Sequence, residues 1–178
     1  MLPDEAYDMV QMLDSMTFNH SLRVKEIAYI IETKLGIKNK VLSDAALVHD
    51  VGKLYIPSNI IDKAGRLDEL ERNIIDLHSY IGYMMLKEKE VEQQICEIVL
   101  YHHGSHMPCL TPINVTPSAE TKEFAKMLHT IDMYEALTTD RPYRRGFEHD
   151  EALYIIEKEI TNHNKEAFEI ISSLGEFN

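Results

Sequence analysis

The chain of 178 residues is long enough for one domain with a sizeable core and too short to favour two. Hydrophobic residues make up 44% and charged residues 27%, and no apolar run approaches the roughly 18 residues needed to span a bilayer. The net charge of −12 argues against a duplex nucleic acid as partner, because binding to phosphate backbones needs a basic face. An acidic protein can still bind a small anionic ligand if metal ions and a few bases determine the local charge of one pocket.

The N-terminal segment and the cysteines indicate the cytoplasm. Residues 1–16 carry four acids and no base, which is unlike a signal peptide. Cys96 and Cys109 belong to no CxxC motif, and a lone pair of cysteines in a reducing compartment is more often two free thiols than a disulfide. We therefore expect a cytoplasmic protein without a zinc ribbon.

Apolar residues recur at helical spacing along nearly the whole chain. The first clear helix contains the apolar residues from Val24 to Leu35 and ends at Gly36. Ser43 is the expected N-cap of a short buried helix that ends before Gly52. That short helix is predicted over residues 45–51, and further helices are predicted over residues 68–87, 91–103, 119 to beyond 131, 148–161 and 165–174. Residues 104–118 contain three prolines and no periodicity, so they are predicted to form one long loop. The predicted fold is a single-domain, all-α bundle over residues 1–178.

The placement of the histidines suggests a metal centre. Five of them fall at or near the ends of predicted helices, one is followed by an aspartate, and a further aspartate lies inside an apolar helix, where an unpaired carboxylate would be costly. These residues are His20, His49, Asp50, His78, His102, His103 and Asp132. Each has an ordinary alternative, since a histidine at a helix end is usually a cap or a surface residue and Asp132 alone can pair with Arg141. Together they suffice for two ions that share one carboxylate, because facing helices commonly build such sites.

The same series resembles the HD superfamily and, within it, the HD-GYP phosphodiesterases. Four segments carry the resemblance, which covers about residues 17–160: NHSLRVKEIA, AALVHDVGKLYIPSNIIDKAGRLDELE, HSYIGYMML and DMYEALTTDRPYRRG. The last of them is the most specific. The resemblance implies an HD-type helical bundle with a two-metal centre in its core and a phosphohydrolase activity.

Carried over by position, the resemblance implies two groups of ligands with Asp50 bridging them. One ion would be held by His20, His49, Asp50 and Asp132, and the other by Asp50, His78, His102 and His103. Some family members hold a third ion through a glutamate one turn before the first histidine, but Met16 stands there, so two ions are expected. Imidazole and carboxylate ligands without thiolate favour iron or manganese, with zinc as an alternative.

The sequence departs from the family directly after the paired histidines. Gly104 stands where the family has glutamate, and the following segment, SHMPCLTPINVTPSAE, contains no GYP. The predicted ligands are therefore retained, while the loop that helps to shape the cyclic dinucleotide pocket is rewritten. His106 in this loop is expected to be solvated. The remaining histidines, His129, His149 and His163, are expected to be structural or surface residues.

Two ions of this kind lower the pKa of a bridging water and clamp the phosphate oxygens for displacement. Lys53 corresponds to the family's HDxGK lysine, which lies beside the scissile phosphate and would offset developing charge. Five further bases lie near the predicted ligands and are either a solvated surface or contacts to substrate phosphate. They are Lys63, Arg66, Arg141, Arg144 and Arg145.

The leading functional hypothesis is a phosphodiesterase for a cyclic dinucleotide, which the resemblance suggests is c-di-GMP. The second is hydrolysis of another nucleotide or phosphate ester at the same ions, and the third is a signalling module that binds metal or nucleotide without turnover. The fourth is a di-iron oxygenase, which the DRPYR segment disfavours. Many relatives carry sensor or receiver domains for which this chain has no room, so we expect a free-standing enzyme, a homodimer, or control by a separate regulatory protein.

Overall fold

The computed structural model describes residues 2–61, 63, 65–104, 115–140, 144–159 and 163–175. Over these ranges the regular elements are helical and no strand occurs, so the predicted all-α fold is confirmed. The α-helices are α1 (Asp4–Gln11), α2 (Ser15–Leu35), α3 (Val41–Val48), α4 (Ser58–Ile61), α5 (Glu69–Asp76), α6 (His78–Glu88), α7 (Gln93–Tyr101), α8 (Ala119–Thr138), α9 (His149–Glu159) and α10 (Lys165–Ser172), with a short 3-10 helix over Val51–Tyr55. None of these helices is both long and apolar enough to cross a membrane.

Helix α3 forms the centre of the fold. All eight of its residues are buried, and it packs against α2, α7 and α8. Fully buried side chains from these neighbours, including Ile31, Ile98 and Leu128, fill the space around it. The segment that carries the His-Asp pair therefore follows directly from a fully buried helix of the core.

The predicted start of α3 is wrong. The helix begins at Val41 after Lys40, which adopts a left-handed backbone with φ of 54°, and the Ser43 hydroxyl lies inside the first turn and donates to the Lys40 carbonyl. The carboxylate of Glu32 on α2 accepts hydrogen bonds from the N–H groups of Leu42 and Ser43 at 2.8 and 3.2 Å. A side chain from another helix therefore caps the start of α3, ahead of the position at which Ser43 was expected to do so.

The end of α3 also differs from the prediction of a helix over residues 45–51. The helix ends at Val48, so His49 and Asp50 lie in the turn that leads to the 3-10 helix. Gly52 in that 3-10 helix is pressed against the start of α6, since a Cβ atom there would lie 1.9 Å from the carbonyl oxygen of His78. Only glycine permits this approach, which brings the His49–Asp50 segment next to His78.

The helix predicted over residues 68–87 is two helices. A capping box formed by Asp68 and Glu71 begins α5, and the regular helix is interrupted at Leu77 before α6 begins at His78. The structure also contains α1, the 3-10 helix and α4, which the sequence did not predict. By contrast, the predicted end of α2 is confirmed, because Gly36 adopts the left-handed conformation with φ of 70°.

The predicted loop over residues 104–118 is described only at its ends. Residues 115–118 are irregular and lead to Ser118, whose hydroxyl caps α8 by accepting from the N–H of Thr121 at 3.0 Å. Cys109, His106 and Arg141 lie outside the described residues. Cys96 is a buried free thiol, and burial raises its pKa to about 11.

Candidate metal centre

The seven side chains predicted as ligands converge in the core from separate segments of the chain. They are His20 on α2, His49 and Asp50 directly after α3, His78 at the start of α6, His102 and His103 directly after α7, and Asp132 on α8. Four of them, His49, Asp50, His78 and His102, are at most 2% exposed. The structure therefore brings together every residue that the sequence proposed for this site.

Hydrogen bonds to the backbone fix the orientation of three histidine rings. Nδ1 of His49, His78 and His102 each contacts the carbonyl oxygen of the residue three positions earlier, at 2.7, 2.6 and 2.6 Å. A carbonyl oxygen only accepts hydrogen bonds, so Nδ1 must carry the proton. The lone pair is then on Nε2, which is the form of imidazole that binds a metal ion.

Several Nε2 atoms come close together in the buried site. Nε2 of His78 lies 3.4 Å from Nε2 of His102 and 3.3 Å from Nε2 of His103, and Nε2 of His49 is buried without a hydrogen-bond partner. Burial lowers the pKa of His78 to about 3 and that of His102 well below its usual value, so both rings are neutral. Converging acceptor atoms in a buried site are unfavourable unless a cation lies among them, so the residues present fit a metal ion.

The carboxylate of Asp50 faces two different groups of histidines. Its Oδ2 atom lies 3.6 Å from Nε2 of His49 and 3.8 Å from Nε2 of His20, and its Oδ1 atom lies 3.4 Å from Nε2 of His78. Burial would raise the pKa of Asp50, but electrostatic interactions, with those of His49 and Lys53 foremost, hold it well below the usual value. The side chain is therefore an ionised carboxylate with one oxygen toward each group, which suits a bridging ligand.

Ligand atoms that lie within 4.8 Å of one another form three overlapping groups in the described part of the chain. These are His20 with His49 and Asp50, His78 with His102 and His103, and His49 with His102 and Asp132. The first two agree with the predicted division between two ions. The third crosses that division, because it combines His49 and Asp132 of the first predicted ion with His102 of the second. Within the first set, Oδ1 of Asp132 lies 3.0 and 3.9 Å from Nε2 of His20 and His49.

A third carboxylate, which the sequence did not predict as part of the site, supports His20. Glu135 is buried and hydrogen-bonds to Nδ1 of His20, to Nε of Arg23 and to the hydroxyl of Thr139. Burial lowers the pKa of His20, but the hydrogen bonds with Asp132 and Glu135 outweigh it and raise the pKa to about 9. The available signal was spacing, since Glu135 follows Asp132, and Arg23 follows His20, by three positions on one helical face.

A cavity of about 270 Å³ opens beside the centre. Its lining includes His20 and Asp50 together with three basic side chains, Arg23, Lys53 and Lys63. Nζ of Lys53 lies 2.6 Å from Oδ2 of Asp50, at the boundary between the cavity and the predicted ligands. An anionic substrate in this cavity would thus contact both positive side chains and the metal centre.

The predicted substrate-binding bases differ in their positions. Lys63 lines the cavity and donates to both carboxylate oxygens of Glu71, at 2.7 and 2.5 Å. Arg144 instead donates to the carbonyl oxygens of Ala136 and Leu137 near the end of α8, at 2.8 and 3.0 Å, and its guanidinium lies over the ring of Phe147. This geometry favours a role in ending α8 over the predicted contact with substrate.

The bases Arg66 and Arg145 are not among the residues that line this cavity, and Arg141 lies outside the described part of the chain. The remaining histidines have structural contacts. The ring of His129 on α8 lies edge-on to that of His103, with the ring centroids 6.0 Å apart. Nδ1 of His149 lies 2.7 Å from the Tyr134 hydroxyl, and the ring of His163 packs against Phe168.

Comparison with known proteins gives one family match and several relatives. The family model described as HD domain matches residues 17–137. A cyclic di-GMP phosphodiesterase of Pseudomonas aeruginosa is 28% identical over 144 residues, which cover 79% of this chain and 34% of that protein. The 3'3'-cGAMP-specific phosphodiesterase 1 of Vibrio cholerae is 30% identical over 161 residues, which cover 86% of this chain and 36% of that protein. The chain thus spans about a third of the length of these curated relatives.

Solved structures share the fold at lower identity. The HD domain of the phosphodiesterase PgpH from L. monocytogenes aligns with a TM-score of 0.68 at 20% identity, over 94% of this chain and 93% of that one. An HDG"Y"P protein from Bdellovibrio bacteriovorus aligns with a TM-score of 0.64 at 18% identity, over 86% of this chain and 50% of that one. Together with the family match over more than half of its length, this arrangement of helices and histidines shows that the chain belongs to the HD domain family.

Proposed function

We propose that this chain is a metal-dependent phosphodiesterase that hydrolyses a cyclic dinucleotide, with c-di-GMP as the first candidate. The observation that carries the proposal is the cluster of histidines around Asp50 next to a cavity lined by Arg23, Lys53 and Lys63. The similar proteins supply the substrate class, since curated relatives act on cyclic di-GMP or 3'3'-cGAMP and a solved PgpH HD domain is in complex with cyclic-di-AMP.

We assign the two predicted groups of side chains to two divalent ions, iron or manganese with zinc as the alternative. The first ion would be held by His20, His49, Asp50 and Asp132, and the second by Asp50, His78, His102 and His103. Ions at such sites supply a hydroxide at neutral pH and positive charge opposite the phosphate oxygens. The thioether of Met16 lines the cavity, and a neutral thioether is a poor ligand for such ions, so it supports a centre of two ions over one of three.

The chain's own bases would bind and orient the substrate. Lys53 is held against Asp50, so its ammonium group lies where charge would develop on the phosphate or on the leaving oxygen. Arg23 is held by Glu135 at the cavity wall, and Lys63 is held by Glu71. A side chain fixed by a carboxylate loses less conformational freedom when it binds phosphate, which favours these three residues as substrate contacts.

A second candidate is the hydrolysis of another nucleotide or phosphate ester at the same centre. Gly104, which has a left-handed backbone with φ of 77°, directly follows the paired histidines, where the family has glutamate and then the GYP loop. The substrate-shaping segment thus differs from that of the phosphodiesterases, while the histidine cluster is complete. This observation keeps the substrate open within the phosphate esters.

Product analysis tests the proposal. Protein loaded with iron(II) under anaerobic conditions, or with manganese(II), would be incubated with c-di-GMP, 3'3'-cGAMP and c-di-AMP, and the products separated by chromatography. Asp50→Ala is the control, because removing the carboxylate that faces both histidine groups should remove at least one ion and essentially all hydrolysis. Linear dinucleotide or mononucleotide from the wild type alone supports the proposal.

The same experiment separates the alternatives. No product from any of the three dinucleotides at full metal content contradicts the proposal and directs the search to other phosphate esters. Binding of a dinucleotide without product would support the non-catalytic signalling module, and oxygen uptake that depends on substrate would support the di-iron oxygenase.

A further inference from the structure

A second cavity lies directly beside the one at the metal centre. It has a volume of about 180 Å³ and shares Lys53 and Ile61 with the larger cavity of about 270 Å³. The two cavities are therefore lobes of one groove, which we call the first lobe (the larger) and the second lobe (the smaller). Each alone is below the range of about 300–1,000 Å³ that small-molecule sites occupy, whereas the two together fall within it.

The two lobes differ in chemistry. The first lobe contains Arg23 and Lys63 in addition to Lys53. The second lobe is lined by the apolar side chains of Leu13, Leu54, Ile56 and Ile61, and its described lining also includes Asp14, Ser58 and one basic residue, Lys53. The two additional bases make the first lobe the better position for phosphate groups, while the second, with one acid and one base, suits a flat group without net charge.

Lys53 lies where the two lobes meet and also at the metal centre. Its Nζ atom is 2.6 Å from Asp50, the carboxylate that faces both histidine groups. A phosphodiester between two nucleosides matches this arrangement, because its anionic phosphate lies between one nucleoside on each side. A phosphate held at Lys53 would therefore direct one nucleoside into each lobe.

We propose that the second lobe is a subsite for the nucleobase on one side of the cleaved phosphate, packed against Leu54 and Ile56. The rest of a cyclic dinucleotide, with its second phosphate, occupies the first lobe near Arg23 and Lys63. This inference rests on the proposed function and deepens it, because it makes the enzyme selective for diesters with a nucleoside on both sides of the phosphorus. A diester with one small substituent gains nothing from the second lobe.

Ser58 allows the second lobe to be filled without disturbing the core. Ser58 is the first residue of α4, is exposed and lines the second lobe, so Ser58→Trp places a large ring in that space. Asn59 is the next residue, is also exposed and lines neither lobe, which makes Asn59→Trp the matched control. Ser58→Ala removes the hydroxyl without adding bulk.

The experiment compares metal-loaded variants on c-di-GMP and on methyl 2,2,2-trifluoroethyl phosphate, a diester without any ring that could occupy the second lobe. We expect Ser58→Trp to raise KM for c-di-GMP by about tenfold or more and to leave the kinetics on the small diester within about twofold, because only the dinucleotide loses burial of a base. Asn59→Trp and Ser58→Ala should behave as wild type on both substrates.

Calorimetric binding of c-di-GMP to metal-loaded protein gives a readout that needs no turnover, so the subsite can fail or succeed independently of the proposed function. Weaker binding by Ser58→Trp alone supports the subsite even where no dinucleotide is hydrolysed. Unchanged KM and affinity in Ser58→Trp, or an equal loss on both substrates, would overturn it.

Discussion

Glu135 on α8 hydrogen-bonds to Nδ1 of His20 on α2 and so directs the opposite nitrogen of that ring at Asp132, 3.0 Å away. The same carboxylate also contacts Arg23 and Thr139, so its position is set from three sides. A histidine held by a carboxylate in this way has a fixed orientation and is a more basic ligand. Glu135 therefore links His20, a proposed metal ligand, to Arg23 in the wall of the cavity.

Glu135→Gln should weaken metal binding at the His20 site by about 10–100-fold, because the substitution keeps the shape of the side chain and removes the charge that orients His20. Chelator competition with metal-loaded protein measures this affinity without reference to activity. Thr139→Val is the matched control, since it removes one contact of Glu135 and leaves the bond to His20. Wild-type metal affinity in Glu135→Gln would show that this carboxylate does not position the ligand.

Lys53→Ala should retain its metal ions and lose turnover by about 100-fold, since removing one group that stabilises transition-state charge has an effect of this order. Metal content and kcat measured on the same preparation separate the two effects. Lys63→Ala is the comparison: its ammonium group is already paired with Glu71, so we expect a change mainly in KM. A wild-type kcat in Lys53→Ala would remove Lys53 from the mechanism.

Arg144→Ala distinguishes the substrate contact predicted from sequence from the structural role seen in the fold. Loss of the hydrogen bonds to Ala136 and Leu137 should lower the free energy of unfolding by about 1–3 kcal/mol, with KM unchanged. Urea denaturation gives the first quantity and steady-state kinetics the second. A raised KM at unchanged stability would favour the original prediction.

Asp14 caps the helix that carries His20, and its contribution to stability should depend on pH. Burial would raise the pKa of Asp14, but hydrogen bonds from Thr17 and Met16 outweigh it, so the pKa in the folded protein lies below the usual value of 3.8. The stabilisation by the ionised Asp14 cap is therefore present above pH 3.8 and is lost as pH falls through the lowered pKa.

Asp14→Ala should therefore lower the free energy of unfolding at neutral pH by about 1 kcal/mol. Asp14→Asn should keep most of the cap and lose its pH dependence. Chemical denaturation of wild type and both variants at several pH values checks this, and equal acid sensitivity in wild type and Asp14→Asn would contradict it.

Much of the fold was predictable because it depends on local patterns. Apolar spacing identified α2 and α8, and Gly36 marked the end of α2 by a conformation that glycine favours. The start of α3 was not predictable in this way, since Glu32, from the preceding helix, satisfies the amide groups there. The interruption at Leu77 was hidden because the apolar pattern continues across it.

For the metal centre, residue types predicted the ligands, whereas the supporting residues depend on tertiary packing. Histidines at the ends of predicted helices and an aspartate inside an apolar helix are unusual enough to suggest ligands. The structure brings all seven predicted ligands together. Glu135 and Arg23 carry no such signal, because charged residues on an amphipathic helix are ordinarily solvated. Their roles depend on the packing of α2 against α8, which brings Arg23 and His20 to the same carboxylate.

The most direct test of the account is the rate of c-di-GMP hydrolysis as iron(II) or manganese(II) is added stepwise to metal-free protein. The account predicts no hydrolysis without metal, a rise that reaches its plateau at two equivalents per chain, and no rise for Asp50→Ala. A full rate without metal, a plateau at one equivalent, or no hydrolysis at any loading would contradict it.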